Sequence, residues 1–371
     1  MTGLPDLSGP LVHAQRAVVA ERSVTTLFGR RMGGLPFTHL GRVTHPASRR
    51  PTGPWHYWWQ AHYLDAVVDA GLRALRSGDV ERARRRAARG DRLLATVRLR
   101  NLGRITNQYY DDMAWLALAV GRLALLHQAL GRVTPRRRLR VAEVSLTRQL
   151  RSAVTPELGG GAYWNTSRDF KNVPATAPVA LHLARLGQTQ EAHRLVDWLY
   201  ERLVGETGLF LDGIRVAGGV ERVVPDVWSY NQGTVLGALV TMGDAGSLCR
   251  SADLVHAVAE GLSSEGVLRT HGDGDGGLFT GILVRYLALA AGEPRLAEET
   301  KQLAESMVTR TAEAFWAGRA GRVVRRADDV VVFSPDPLRP ASTDPSVTVE
   351  LSTQLQAWMT LEAAAVLAVD G

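Results

Sequence analysis

The chain has one cysteine, Cys249, in 371 residues. That leaves no partner for an intramolecular disulfide and no thiolate pair for a zinc site. It has no run of 18 apolar residues free of charge, so no membrane-spanning helix is expected. The stretch Met1–Val12 lacks a basic segment followed by an apolar one. It does not read as an export signal, and a reducing, cytoplasmic location is the expectation. Neither HExxH nor GxSxG occurs, which removes two common hydrolase signatures. Strand-like runs are few and short, with Val330–Phe333 the best of them. Lysine is almost absent, since only Lys171 and Lys301 interrupt an all-arginine usage. What is present is 45% apolar and 22% charged residues, a composition suited to a large packed core and not to disorder.

The 44 basic residues outnumber the 37 acidic ones by seven. Many arginines fall in two runs, Arg82–Arg104 and Arg132–Arg151. In the first, Val80, Ala83, Ala87, Leu94 and Val97 form an apolar stripe; in the second, Leu139, Ala142, Leu146 and Leu150 do. Both read as amphipathic helices with a solvated arginine-rich back, or with a face that attracts an anionic partner. The arginines are not interleaved with aromatics, so a single-stranded nucleic-acid groove is not expected.

Periodicity, caps and breakers predict about twelve helices: Leu11–Phe28, Trp55–Arg76, Asp79–Leu99, Asp111–Leu130, Pro135–Ser152, Asn172–Leu186, Thr189–Val204, Tyr230–Met242, Ala245–Leu262, Leu278–Ala291, Pro294–Phe315 and Val347–Val369. Met113–Leu126 and Gly281–Ala291 are apolar nearly all round, as fully buried helices are. Their neighbours carry charge on one side. Links after the apolar helices are tight: Ser77-Gly78, Gly131–Thr134, Gly187-Gln188, Gly243-Asp244 and Gly292-Glu293. Links before them are long: Gly29–Pro54, Arg100–Tyr110, Ala153–Lys171, Gly205–Ser229, Ser263–Gly277 and Trp316–Ser346. Helical hairpins with one buried and one amphipathic member predict an all-α (α/α)6 toroid, six inner and six outer helices in one domain over residues 1–371. All the long links then emerge at one end, where function concentrates. An open helical solenoid is the competing architecture, but no fixed-period repeat supports it.

Asn107-Gln108-Tyr109-Tyr110-Asp111-Asp112-Met113-Ala114-Trp115 opens a buried helix at the long-link end. Two adjacent acids there have two readings. One is a helix cap plus a first-turn acid. The other is a pair of carboxylates diverging by about 100°, one ionised and one protonated, as glycoside hydrolysis requires. Sugar-binding residue types gather at the same end: Trp55-His56-Tyr57-Trp58-Trp59-Gln60-Ala61-His62, Tyr163-Trp164-Asn165 and Trp228-Ser229-Tyr230-Asn231-Gln232-Gly233. Aromatic faces stack on pyranose rings, and amides and carboxylates bond hydroxyls; each aromatic also fits a core role. Lys171, in Asp169-Phe170-Lys171-Asn172, is expected at this mouth. Gly272-Asp273-Gly274-Asp275-Gly276-Gly277 fits GxGxxG only formally and reads as a loop, since no strand precedes it. Ile282 stands where a calcium loop needs a bidentate Glu. His127, His182, His193 and His256 read as structural.

Taken in order, these segments resemble glycoside hydrolase family 76, the α-1,6-mannanases. The resemblance runs from about Trp55 to near the C-terminus through Tyr57–His62, Tyr109–Trp115, Gly160–Trp164, Lys171-Asn172, Thr207–Gly213, Tyr230–Gly233, Phe279–Leu287 and Leu351–Gln354. It implies an (α/α)6 fold and retaining hydrolysis of α-1,6-mannosidic bonds in mannan or manno-oligosaccharides. It implies Asp111 as nucleophile and Asp112 as general acid/base, a pair roughly 5–5.5 Å apart in retaining enzymes. It places Asp212, Tyr230, Asn231 and Gln232 against substrate, together with Asn107, Tyr110, Trp58, His62, Trp164, Lys171, Asn172, Phe279 and Arg285. No metal or other cofactor is implied. Thr280 stands where the family often has Lys, and Phe333–Pro345 is a long Pro-rich link, so an unusual mannan is a possible substrate, such as a mannosylated lipid. An anionic headgroup would suit the positive charge. Transglycosylation through the same covalent intermediate, a non-catalytic glycan-binding role, and epimerase or lyase chemistry on the same toroid are the other readings.

Overall fold

The computed structural model describes residues 12–47, 55–132, 136–323 and 330–370. Twelve α-helices occur among them: α1 (Val12–Phe28), α2 (Tyr57–Arg76), α3 (Val80–Arg100), α4 (Tyr110–Ala129), α5 (Arg137–Ala153), α6 (Val173–Arg185), α7 (Thr189–Leu203), α8 (Ser229–Met242), α9 (Ala245–Leu262), α10 (Gly276–Ala291), α11 (Glu298–Ala317) and α12 (Leu351–Asp370). The even-numbered helices pack side by side from α2 to α12, and α12 returns to α2. That last contact closes the ring and excludes an open solenoid. Each odd-numbered helix lies outside, α3 on α2, α5 on α4, α7 on α6, α9 on α8, α11 on α10 and α1 on α12. The result is the (α/α)6 toroid that the alternation predicts.

Pattern explains position. In α4, successive residues from Met113 to Val120 are all buried, because the helix has neighbours on every side. In α5 only Leu139, Ala142, Leu146, Leu150 and Ala153 are buried, at helical spacing. Where inner helices nearly touch, glycine is required. A Cβ on Gly233 of α8 would lie 2.7 Å from the Leu283 Cα of α10, and one on Gly281 would lie 2.8 Å from the Gln356 Cα of α12.

Several helix starts differ from expectation: α12 begins at Leu351 instead of Val347, α2 at Tyr57 instead of Trp55, α10 at Gly276 instead of Leu278, and α8 at Ser229 instead of Tyr230. Helix α11 begins at Glu298 instead of Pro294. Leu296 is buried in the preceding turn, and Arg295 is held by Glu293 at 2.7 Å and by the Gly243 carbonyl at 2.7 Å. Helix α4 begins one residue early, at Tyr110. The expected strand Val330–Phe333 shortens to Val331–Val332, paired with Ala320–Gly321. A three-stranded antiparallel sheet was not expected: Phe170–Asn172, Gly213–Ala217 and Val220–Val224. Its hairpin turns at Gly218-Gly219, both at positive φ, between two Val-rich runs, a readable hairpin signal. The expected helix starts at Leu11 and Pro135, the stretch Met1–Val12 up to residue 11, and parts of the links Gly29–Pro54, Gly131–Thr134 and Trp316–Ser346 lie outside the described residues. No helix among the described residues is long and apolar enough to cross a membrane.

Candidate active site

The long links meet at the head of α4. The link between α5 and α6 crosses there, and its backbone takes the first N–H of the helix. Tyr110 N donates to the Trp164 carbonyl at 2.8 Å, and Trp164 N donates to the Phe170 carbonyl at 2.8 Å. Tyr109 bridges to Asn165 and Tyr163 to Lys171. The N-cap of α4 is therefore Tyr109, with no side-chain cap. Neither Asp111 nor Asp112 is the cap; Asp111 takes one first-turn N–H, that of Asp112, and the capping reading leaves the Asp112 carboxyl, which accepts from Asn107, unexplained.

Both aspartates border a cavity of about 480 Å³. Trp58, Trp115, Trp164, Tyr230 and Phe279 supply its aromatic wall, and Asn172, Asp212, Arg215 and Asp275 its polar one. Tyr230 and Phe279 stack on each other at 3.9 Å. Asp111 accepts two hydrogen bonds, from Trp164 Nε1 at 3.0 Å and from its neighbour's backbone N–H at 2.9 Å. Asp112 accepts one from Asn107 Nδ2 at 2.6 Å. Among the described residues neither is in an ion pair with Lys, Arg or His. Burial pushes the Asp111 carboxyl well up, and the charge of Asp112 adds to it. Burial also lifts Asp112 to about 7, with Asp275 contributing and Asn107 opposing. Asp212 is lifted to about 6, by burial first and by Asp226.

A second cavity, about 900 Å³, adjoins the first. Asp112, His56, Tyr57 and Tyr109 line both, whereas Asp111 lines only the smaller one. Asn107 faces the larger. The cleft is thus one trough, with Asp112 at its junction.

The structure brings Trp58, Trp164, Asn172, Asp212, Tyr230 and Phe279 to the cleft beside the aspartates, with Asn107 alongside. It takes other expected contacts away. Lys171 is 0% exposed. Its three N–H donors go to the carbonyls of Thr155, Glu157 and Gly160 at 2.9, 2.6 and 2.7 Å, and its ammonium lies 4.6 Å from the Tyr163 ring. It clamps the link that carries Trp164 and has no donor left for a sugar. Arg285 is at the opposite end of the barrel, paired with Asp65 and Asp69. Gln232 is buried and spent on the Phe210 N–H, the Phe210 carbonyl and the Trp228 carbonyl. Asn231 is buried behind Asp212, which accepts from its Nδ2 at 3.4 Å. The Tyr110 side chain is buried and borders neither cavity; its neighbour Tyr109 borders both. His62 sits behind the wall, its ring 5.4 Å from Trp58 and 5.0 Å from Trp115. Thr280 is also buried, its hydroxyl on the Arg269 carbonyl at 2.8 Å.

Three contributors were missed. Asp275 comes from the glycine-rich segment read as a mere loop. It accepts from the indoles of Trp58 and Trp59 at 3.0 and 2.8 Å and so fixes one aromatic wall. Arg215 arrives on the unexpected sheet, 4.2 Å over the Phe170 ring. Trp115 was quoted for its motif only; it lies one turn below Asp111, where a helix places i+4 on the same face. Among the described residues no group of three or more His, Cys, Asp or Glu is placed to hold a metal.

Residues 12–332 match the model of glycosyl hydrolase family 76. No curated protein matches the chain significantly. Among solved structures, the α-1,6-mannanase of Salegentibacter sp. HEL1_6 is 27% identical over 96% of this chain and 99% of that one, with a TM-score of 0.80. An inactive variant of that enzyme, with Asn replacing two consecutive aspartates, is in complex with α-1,6-mannotriose; it is 25% identical over 96% and 99% of the two chains, with a TM-score of 0.78. A Listeria innocua protein, 23% identical over 97% and 98% of the two chains, shares the fold with a TM-score of 0.78.

Proposed function

The chain belongs to glycosyl hydrolase family 76 and is a glycoside hydrolase; from that premise we propose that it cleaves α-1,6-mannosidic linkages with retention, using Asp111 and Asp112. The observation that carries the reading is the pair itself. Two adjacent carboxyls, free of cationic partners among the described residues, open a buried helix onto an aromatic-walled trough. The Salegentibacter enzyme's inactivation at consecutive aspartates, and its complex with α-1,6-mannotriose, support the pair's role and the substrate.

The two acids have different surroundings. Like charges this close resist double ionisation, so near neutrality the pair holds one proton. Burial raises both acids, Asp111 the more, but we assign the charge of the pair to Asp111 because it accepts two N–H bonds against one on Asp112. Asp111 then attacks the anomeric carbon while Asp112 protonates the departing oxygen. In the second step Asp112 takes a proton from water, which opens the mannosyl ester. The junction gives direction. Asp111 borders only the 480 Å³ cavity, so the mannosyl unit that is attacked sits there. Asp112 also borders the 900 Å³ cavity, which receives the leaving chain.

The test is product analysis on α-1,6-mannan, with the anomer first formed read by NMR. Release of the α-anomer, abolished by Asp111→Asn, is expected. A β-anomer, or full activity in that variant, overturns the assignment.

A further inference from the structure

The two arginine-rich runs are more than solvated backs. Helices α3 and α5, which carry them, flank a groove of about 620 Å³ on the outer surface. That volume is within the range of small-molecule sites. Its floor is apolar, made by Leu94, Ile105, Leu139 and Ala142. Leu99 and Val141 are each 49% exposed at its walls. Five arginines line it against one acid, Asp91, and that acid is already held by Arg136 at 2.7 Å and His127 at 3.1 Å. Arg104, Arg138 and Arg148 have no carboxylate partner among the described residues. An apolar trench edged by unmatched guanidiniums fits a molecule with a hydrocarbon body and an anionic group.

The groove also adjoins the catalytic trough. Arg104 and Thr106 line both it and the 900 Å³ cavity. That cavity is the one assigned to the leaving chain. A glycan seated there has its reducing end directed away from Asp112 and toward the groove.

We propose that the groove receives the lipid end of the substrate, and that the preferred substrate is an α-1,6-mannoside carrying an acylated phosphate at its reducing end. The proposal rests on the mannanase reading for its direction along the cleft. The arginines bind the phosphate and the apolar floor takes the first part of the acyl chain.

Two oligomannosides of equal length test it, one with a diacylglycerol phosphate at the reducing end and one with a methyl aglycone. The wild type is expected to turn over the lipid-bearing form with a kcat/KM about tenfold higher, one hydrophobic and ionic contact's worth. Arg138→Glu with Arg148→Glu, and separately Val141→Asp, should bring that ratio to about one while leaving the methyl glycoside rate unchanged. Neither arginine borders the trough, and thermal melting checks that the variants fold. Equal kcat/KM on the two forms in the wild type overturns the proposal, as does a ratio that survives both variants. Binding to phosphatidylglycerol vesicles without any kcat/KM preference also overturns it, because it marks a membrane-facing surface instead. If neither glycoside is cleaved, the mannanase reading has failed. The groove is then judged by dodecyl phosphate below its micellar concentration. Calorimetric binding that is lost in the double arginine variant supports an anionic lipid site, and no binding in the wild type removes it.

Discussion

The two ends of the barrel bury the same residue type to opposite effect. At the closed end, Asp65 and Asp69 of α2 face Arg122 of α4 and Arg285 of α10 in a four-membered ion cluster. Arg73 ties Glu362 of α12 and Glu21 of α1 at 2.9 Å each. Burial alone would raise Asp65, but the guanidiniums of Arg122 and Arg285 outweigh it and hold the carboxyl down at about 2. At the open end, Asp111, Asp112 and Asp212 have no such partner among the described residues, and burial raises all three. An aspartate matched by arginine is locked in one protonation state and serves the frame. An aspartate left with only neutral donors keeps its proton near working pH and can pass it on.

The largest expected effect comes from removing the open-end carboxyls. Asp112→Asn should lower kcat/KM on mannan by about 10²–10⁴-fold, and Asp111→Asn by at least as much, measured by reducing-sugar release. The closed end should answer in stability. Asp65→Ala leaves two buried guanidiniums short of charge and should cost about 3–5 kcal/mol in denaturant unfolding. The signs at the two ends oppose each other. Asp65, depressed, stabilises the fold above the ordinary carboxylate range, and that contribution is lost as pH falls toward 2. Asp112, raised, opposes folding when it ionises, so Asp112→Asn should raise the melting temperature above pH 7 where Asp65→Ala lowers it. A fall in both would erase the contrast.

Smaller effects sharpen it. Because Asp112 must hold a proton in the first step, kcat/KM should decline as pH rises through about 7, and this limb should vanish in Asp112→Asn assayed on an aryl mannoside that needs no acid. Asp275→Ala removes the single oxygen that accepts from both indoles and should raise KM several-fold with a smaller change in kcat, as expected when a wall is loosened but the reacting groups are not.

Much of the frame was legible because it rests on period and on link length. The rule that α4 and α10 are buried nearly all round, while α5 keeps one buried stripe, holds for most of their residues, with Leu125 of α4 and Leu289 of α10 exposed against it. The acid pair was legible because its position at a buried helix start is a sequence property. Side-chain direction was not. Arg285 is six residues below Phe279, about 9 Å along the helix, enough to pass from cleft to closed end. Gln232 is two residues from Tyr230 and so points about 200° away, into the backbone it latches. Lys171 belongs to the right strand but faces the carbonyls behind it. Asp275 was hidden for the opposite reason: a glycine-rich loop has no period, and its acid is placed only by the indoles of α2.

The return of α12 to α2 has a consequence for biogenesis. Eleven staves do not make a smaller barrel. Until Leu351–Asp370 is in place, the flanks of α2 and α10 that this helix covers stay bare, and the charged plug lacks Glu362. A nascent chain halted short of that segment presents two greasy seams and an unbalanced arginine to its surroundings, which makes it a client for chaperones and not a partly working enzyme.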